Sequence, residues 1–187
     1  MLFQHLTTLS LFTSLSFASA LVPRIVTADT LVKDIDNIHA GVLANTAATE
    51  AYEGGNIITT LVQGAPVIGT VAAIHVANRE GFVDANLAPH FTEADTRRIF
   101  NEVVNTVGVS IPNDVQVLIG KKPQFEASGL VPVVLASLKL LLNDHDTFSA
   151  AVTAKAYQGD ATLDAEGTAV VKKIHDAIQN GINAYST

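Results

Sequence analysis

Two polar side chains lie within apolar helical patterns, where they could hydrogen-bond a buried ligand. His75 follows Ile68 and Val71 at helical spacing, and Ser137 lies midway along the most apolar segment of the chain. An imidazole and a hydroxyl can both bind a carboxylate in an apolar interior. Each also has a structural explanation: His75 as a core histidine with satisfied hydrogen bonds, and Ser137 as a hydroxyl bonded to the carbonyl four residues earlier. The sequence leaves both explanations open.

The other histidines show no spacing typical of a metal centre. His39, His90, His145 and His175 form no H-x-x-x-H or H-E-x-x-H pattern. Residues 144–146, with the sequence DHD, look like a ligand cluster but fit a solvated helix face better. The chain also lacks the G-x-S-x-G motif of hydrolases and a glycine-rich phosphate loop. We therefore expect no metal, no cofactor and no enzymatic activity.

The composition excludes several classes of partner. The chain has 187 residues, with 11 Lys+Arg against 18 Asp+Glu, a formal net charge of −7 and no cysteine. So few basic residues leave little surface for nucleic acid or for anionic membranes. Without cysteine, disulfides and thiolate metal ligands are absent. Packing of apolar side chains must therefore hold the fold, and 48% of the residues are apolar.

Residues 1–20 are typical of a secretory signal. They contain no Asp, Glu, Lys or Arg, and a short apolar stretch ends in Ala18-Ser19-Ala20. Small residues at the last and third-last positions, after a stretch too short to span a bilayer, predict cleavage after Ala20. Residues 21–187 show no repeat, linker or change of composition, and we expect one helical domain there. The product is predicted to be secreted.

This domain is predicted to contain five helices. They begin near Asp29, Asn56, Thr92, Leu130 and Asp160, where apolar residues start to recur every three or four positions. No alternating strand pattern persists. The predicted fold class is therefore all-α, a five-helix bundle with proline-interrupted helices.

Prolines and glycines are expected to interrupt two of these helices. Pro66 lacks a backbone donor inside the second helix, and Gly81 and Pro89 predict a frayed end for it. In the third helix, residues 108–114, which include Pro112, predict a bend. The fourth helix is the most apolar, and we expect it at the centre of the bundle.

The second helix is expected to bury one apolar stripe. The stripe consists of Ile57, Leu61, Ala65, Ile68, Ala72 and His75. Gly64 and Gly69 leave the middle of this helix short of bulky side chains. Small residues at one level of a bundle permit either an internal cavity or a close approach of two helices. Because native interiors are normally close-packed, the residues alone favour a filled core over a cavity.

Residues 118–142 resemble a signature of a fungal secreted family. They consist of the segment LIGKKPQFE at residues 118–126, SGL at residues 128–130 and an aliphatic helix to Leu142. That family is the hydrophobic surface binding protein A group, which includes antigenic cell-wall galactomannoproteins. The resemblance extends over residues 25–185. It implies an all-α five-helix bundle with a central apolar tunnel for a fatty-acid chain, in proteins that adsorb to hydrophobic surfaces or lie in the cell wall.

With this resemblance, the sequence predicts a secreted bundle that binds long-chain fatty acids or related lipids. Two alternatives remain: a surface-active protein that adsorbs to hydrophobic surfaces, and a structural cell-wall antigen without a ligand. The residues predicted to line the lipid site are Leu31, Ile35, Ile38, Leu61, Ile68, Val71, His75, Val103, Leu118, Val134, Ser137, Leu138, Leu141, Ile174 and Ile178.

Overall fold

The computed structural model describes residues 25–186, which fold into helices and loops and include no strand. The helices are α1 (Ala28–Glu50), α2 (Ile57–Leu87), α3 (Glu93–Asn105), α4 (Val107–Gly120), α5 (Lys122–Ala127), α6 (Val131–Thr153) and α7 (Ala161–Tyr185). The predicted all-α class is confirmed. The predicted signal at residues 1–20 lies outside the described residues.

Polar side chains at the predicted starts begin four of the helices. Thr27 forms a capping box with Thr30 at α1, and the side chain of Asn56 accepts from two backbone amides of α2. Thr92 and Asp160 cap α3 and α7 in the same way. These oxygens satisfy amide groups that have no partner within the helix. Local sequence therefore determines where these helices begin.

Five long helices form a closed ring. α1 packs against α2 and α4, α2 packs against α6, α6 against α7, and α7 against α4. α3 packs across one end, against α1, α4 and α7, and the short α5 packs on α4 and α6. The helix predicted at the centre of the bundle, α6, is thus one wall of the ring, which corrects the prediction. Its inner face is buried, but Leu140 on its outer face is exposed.

The third predicted helix is two helices, α3 and α4, which meet at Thr106. A bend was expected within residues 108–114, yet Pro112 lies inside α4. The chain turns earlier, at Thr106, where Gly108 of α4 lies close to α3. An added Cβ on Gly108 would lie 2.8 Å from the carbonyl oxygen of Val103, so only glycine permits this contact. With the additional short α5, the structure contains seven helical segments among the described residues, where five were predicted.

α2 is continuous through Pro66 and Gly81. Pro66 has no amide hydrogen for the carbonyl of Val62, but Val62 is exposed, so water can bind that oxygen. Gly81 is not a frayed end. It is buried, and an added Cβ would lie 2.7 Å from the ring of Phe148 on α6. Glycine at this position permits α2 and α6 to pack closely.

The stripe of α2 that was predicted to be buried faces outward for most of its length. Leu61, Ala65, Ile68 and Ala72 are exposed, and the side chain of Ile57 is not described. The ring-facing side instead carries Thr60, Gly64, Val67, Ile74, Asn78 and Gly81. Because α2 is apolar on nearly all sides, periodicity could not identify its buried face. Small residues and hydrogen bonds from Asn45 of α1 to the Val67 carbonyl and Thr70 determine the face instead.

Candidate functional site

The ring of helices encloses a first cavity of about 90 Å³. Side chains from α1, α2, α3, α4, α6 and α7 line it, and most of them are aliphatic or aromatic. Ile38, Val107 and Ile174 are examples from three different helices. A volume with such walls favours an apolar ligand over water, which needs polar partners to stay ordered.

A second cavity of about 40 Å³ lies toward the other end of the bundle. Its walls come from α1, α2, α4, α5 and α6, and Leu130, directly before α6, also lines it. Ile68 and Val133 line this cavity and are also exposed, at 52% and 42%. The second cavity therefore reaches the surface between α2 and α6.

Three side chains separate the two cavities. Asp114, Leu138 and Leu141 line both of them. Along α6 the combined lining runs from Val133 to Thr153, which is about 30 Å at 1.5 Å per residue.

Most of the residues predicted to line a lipid site come together around these cavities. Those at the first cavity are Ile35, Ile38, Val103, Leu138, Leu141, Ile174 and Ile178. Those at the second are Ile68, Val71, Leu118, Val134, Ser137, Leu138 and Leu141. The remaining three, Leu31, Leu61 and His75, line neither cavity.

The positions of these three have simple causes. Leu31 is fully buried in the packed core, near the start of α1. Leu61 is 68% exposed because it lies on the outer face of α2. His75 turns toward α6, where its Nδ1 lies 2.6 Å from Oδ2 of Asp144. Asp144 is 1% exposed, so His75 is the hydrogen-bonding partner of a buried carboxyl group.

The sequence DHD at residues 144–146 does not form one ligand cluster. Asp144 pairs with His75 of α2, the Nε2 of His145 lies 3.1 Å from the carbonyl of Val171, and Asp146 pairs with His175. Successive side chains on a helix point in different directions, so the three meet different neighbours. Asp144 and His145 are buried, which corrects the prediction of a solvated face.

Several polar groups reach the cavities. The Ser137 hydroxyl lines the second cavity, and within residues 25–186 it does not form the predicted bond to its own helix. Asn78, His145 and Ser149 line the first cavity. Burial lowers the pKa of His145, so its imidazole is neutral at neutral pH. These groups are the candidates for holding a ligand's polar end.

The LIGKKPQFE segment closes the bundle beside the second cavity. Phe125 stacks on Tyr52 with ring centroids 4.4 Å apart, and it meets Tyr185 edge to face at 6.4 Å. The hydroxyl of Tyr185 donates to the carbonyl of Leu118 at 2.7 Å, and Lys121 Nζ donates to the carbonyl of Tyr52 at 2.9 Å. Because Phe125 also lines the second cavity, this aromatic cluster forms the end wall of that cavity.

The sequence pattern of the family described as hydrophobic surface binding protein A matches residues 28–154. This match covers more than half of the chain and includes α1 to α6. The chain belongs to the hydrophobic surface binding protein A family. The predicted resemblance is therefore confirmed, and the LIGKKPQFE segment that carried it is the end wall of the second cavity.

Solved structures share this family member's fold. Afmp4p in complex with palmitic acid is 20% identical, with a TM-score of 0.77 over 84% of this chain and 99% of that one. Ligand binding domain 1 of the Penicillium marneffei MP1 protein, complexed with arachidonic acids, is 25% identical, with a TM-score of 0.73 over 83% and 95%. Domain 2 of the same protein, complexed with multiple arachidonic acids, is 20% identical, with a TM-score of 0.74 over 88% and 98%. No curated protein sequence matches the chain.

Two groups of site residues in this family member were not indicated by the sequence. Asn78 and Ser149 lie in helical segments whose polar positions look solvated, and only the ring places them at the cavity. Asp114 was expected in a bend, but in α4 it lies between the two cavities. Burial raises the pKa of Asp114 to about 6. A single carboxyl group occupies one position only, so no periodic pattern in the sequence indicates that it lies at a cavity.

Three carboxylates also come together away from the cavities. Oxygens of Asp34, Glu80 and Asp84 lie within 4.8 Å of one another, and Asp34 and Asp84 are buried. Such oxygens are of the type that Ca²⁺ and Mg²⁺ prefer. The residues belong to two different helices, α1 and α2, so their spacing in the sequence does not indicate a cluster. Carboxylates alone do not define a cation site, and none of the three lines either cavity.

Proposed function

We propose that this chain is a secreted, non-enzymatic protein that holds one long-chain fatty acid, or a related lipid, in the two cavities. The observation that carries the proposal is the pair of apolar cavities in line within one ring, separated only by side chains. The palmitic and arachidonic acids bound to proteins of the same fold support it. The predicted signal at residues 1–20 supports secretion, and the family match supports a place outside the cell or in its wall.

Solvent exclusion supplies the binding energy. Burial of an acyl chain contributes about 0.8 kcal/mol per methylene, so ten methylenes contribute about 8 kcal/mol. That free energy corresponds to a dissociation constant near 1 μM before the cost of ordering the chain. The cavities of about 90 and 40 Å³ must expand to accept the ligand. Rotation of Leu138 and Leu141 provides this expansion and joins the two volumes.

The ligand's carboxylate needs a polar partner at one end of the tunnel. Ser137 provides a hydroxyl at the second cavity, and Asn78 and Ser149 provide donors at the first. His75 is directed toward Asp144, which makes it a structural residue in this proposal. Replacement of Ser137 by Ala should weaken the binding of a fluorescent fatty acid if the head group lies at the second cavity. Replacement of Ser149 by Ala should weaken this binding if the head group lies at the first cavity.

Native mass spectrometry of the secreted protein tests the proposal directly. We expect a bound mass of fatty-acid size, released when the protein unfolds. The same spectrum reports whether the chain begins after Ala20. A protein that is free of ligand and stays so after incubation with palmitic or arachidonic acid would contradict the proposal.

Adsorption to hydrophobic surfaces is the second candidate function, and the outer face of α2 favours it. Ile58, Leu61, Val62, Ile68, Val76, Val83 and Leu87 are between 50% and 72% exposed along this helix. By length and composition, Ile58–Leu87 could cross a membrane. Only 22% of its most apolar stretch is buried in the bundle, so most of that stretch is exposed. An apolar face of this size is unusual on a protein without a partner. It borders the opening of the second cavity at Ile68.

Depletion from solution onto polystyrene or wax tests this second function. The double variant Leu61→Ser, Val62→Ser should reduce adsorption strongly, because it interrupts the apolar face without touching a cavity. The matched control is Val104→Ser, Val109→Ser, which removes exposed apolar side chains from α3 and α4. Equal adsorption by both double variants would contradict a role for α2.

A further inference from the structure

One carboxyl group lies in the apolar partition between the two cavities. Asp114 of α4 lines both cavities together with Leu138 and Leu141 of α6. A saturated acyl chain that passed through both cavities would place methylenes against this carboxyl group. Contact of a charged group with hydrocarbon, without a compensating hydrogen bond, is unfavourable. The binding of an unsubstituted fatty acid therefore does not account for Asp114.

Hydrogen bonds within the protein satisfy Asp114 only in part. Its Oδ1 lies 2.7 Å from Oγ1 of Thr46, and the same Oγ1 lies 3.0 Å from the carbonyl oxygen of Val42. A hydroxyl carries one proton, so Thr46 cannot donate to both acceptors at once. Within residues 25–186, Thr46 is the only hydrogen-bonding partner of Asp114. The Oδ2 atom thus remains able to accept from a ligand.

The protonation state makes Asp114 an acceptor under ordinary conditions. Burial raises its pKa to about 6, so the group is ionised at pH 7.5. An ionised carboxyl group accepts hydrogen bonds and donates none. The ligand group that it would bind is therefore a donor, such as a hydroxyl.

The position of Asp114 determines where the ligand must carry that donor. Cavities lie on both sides of Asp114. A terminal head group bound to Asp114 would leave the whole chain in one cavity and the other cavity empty. A hydroxyl near the middle of the chain lets one ligand fill both cavities while it donates to Asp114.

We propose that Asp114 makes this site selective for fatty acids that carry a hydroxyl near the middle of the chain. The hydroxyl donates to the carboxylate between the two cavities. A saturated chain leaves Oδ2 of that half-buried carboxylate without a donor, and sites built to hydrogen-bond a ligand group discriminate strongly against the analogue that lacks it. This inference rests on the proposed function, because it assumes that a fatty acid occupies both cavities.

Two ligands of equal length provide the test. Stearic acid and 12-hydroxystearic acid compete with a fluorescent fatty acid for the full chain at pH 7.5. We expect 12-hydroxystearic acid to bind the unaltered protein about tenfold more tightly. In Asp114→Leu the preference should reverse, because an aliphatic wall favours the plain chain. In Asp114→Asn, which retains the shape, the preference should shrink.

Matched controls separate this inference from the proposed function. In Asp146→Asn, a carboxylate on the exposed side of α6 is removed, and the preference should stay unchanged. The isomer 2-hydroxystearic acid carries its hydroxyl beside the head group and should bind like stearic acid. Equal binding of stearic and 12-hydroxystearic acids, or an unchanged preference in Asp114→Leu, overturns the inference alone. Failure of every fatty acid to bind overturns the proposed function as well.

Discussion

At the scale of single residues, polar groups of the interior divide into those that face only partners in the fold and those that also face a cavity. His75 and Asp144 satisfy one another across α2 and α6, so the imidazole that looked like a ligand anchor has a structural partner. Asp114 and Ser137 instead face the cavities. Sequence pattern alone could not separate the two groups, because all four residues occupy apolar helices.

Loss of His75 should destabilise the protein without affecting the ligand. In His75→Ala, Asp144 would lose its partner at 1% exposure, and we expect the free energy of unfolding to fall by about 2–4 kcal/mol. The control is His175→Ala, which breaks a similar pair with Asp146 on the surface and should cost less than about 1 kcal/mol. Urea denaturation measures both. A weaker fatty-acid affinity in folded His75→Ala would instead show that His75 contributes to ligand binding.

The raised pKa of Asp114 predicts a pH dependence of stability. The folded protein keeps a proton that the unfolded chain loses between pH 4 and pH 6, so this group lowers the free energy of unfolding as pH rises through that range. Asp114→Asn removes the ionisation and retains an acceptor for Thr46. We expect the variant to match the unaltered protein near pH 4 and to exceed it by about 2–3 kcal/mol at pH 7. A constant difference across this range would contradict the prediction.

At the scale of helices, glycines determine how closely neighbours approach. Gly81 meets Phe148 between α2 and α6, and Gly167 of α7 meets Phe100, where an added Cβ would lie 2.4 Å from the ring. Gly108 permits the close junction of α3 and α4. In the sequence Gly81 and Gly108 look like breaks in helices. In the structure they are contacts, because a helix tolerates glycine when packing on its neighbours compensates for the lower propensity.

Two glycine substitutions separate packing from propensity. Gly108→Ala should lower the free energy of unfolding by about 1–3 kcal/mol, because the new Cβ meets the backbone carbonyl of Val103, which cannot move aside. Gly69→Ala in α2 meets no atom within 4 Å and should raise it by about 0.5–1 kcal/mol. Thermal and urea denaturation measure both. Stabilisation of equal size at the two positions would show that helix propensity, not contact, controls them.

At the scale of the whole molecule, the ring arrangement creates the site. Five helices packed side by side leave a space along their common axis, and aliphatic side chains from six helices line its larger part. The exposed face of α2 lies beside the opening of the second cavity at Ile68 and Val133. The same arrangement therefore provides an apolar surface and an apolar interior next to one another.

Blocking the junction of the cavities should abolish binding of long chains. Leu141→Trp places a larger side chain where both cavities meet, and we expect at least a tenfold loss of affinity for palmitic acid with little loss for a short chain that fits one cavity. The control Leu140→Trp adds the same ring at the next position, which is 41% exposed. Competition with a fluorescent fatty acid measures both. An equal effect of the two variants would contradict a tunnel through Leu141.

The amino-acid sequence was enough to predict the helical class, the capped starts of α1, α2, α3 and α7, and the family, because these depend on local periodicity, capping side chains and a contiguous motif. Most of the residues that it indicated for a lipid site lie around the cavities, since they follow the apolar period. Which side of α2 is buried, and what His75 and Asp114 face, depends on the tertiary structure. A helix that is apolar on all sides has no preferred face until its neighbours are in place, and a single polar residue acquires its role from side chains that are distant in the sequence.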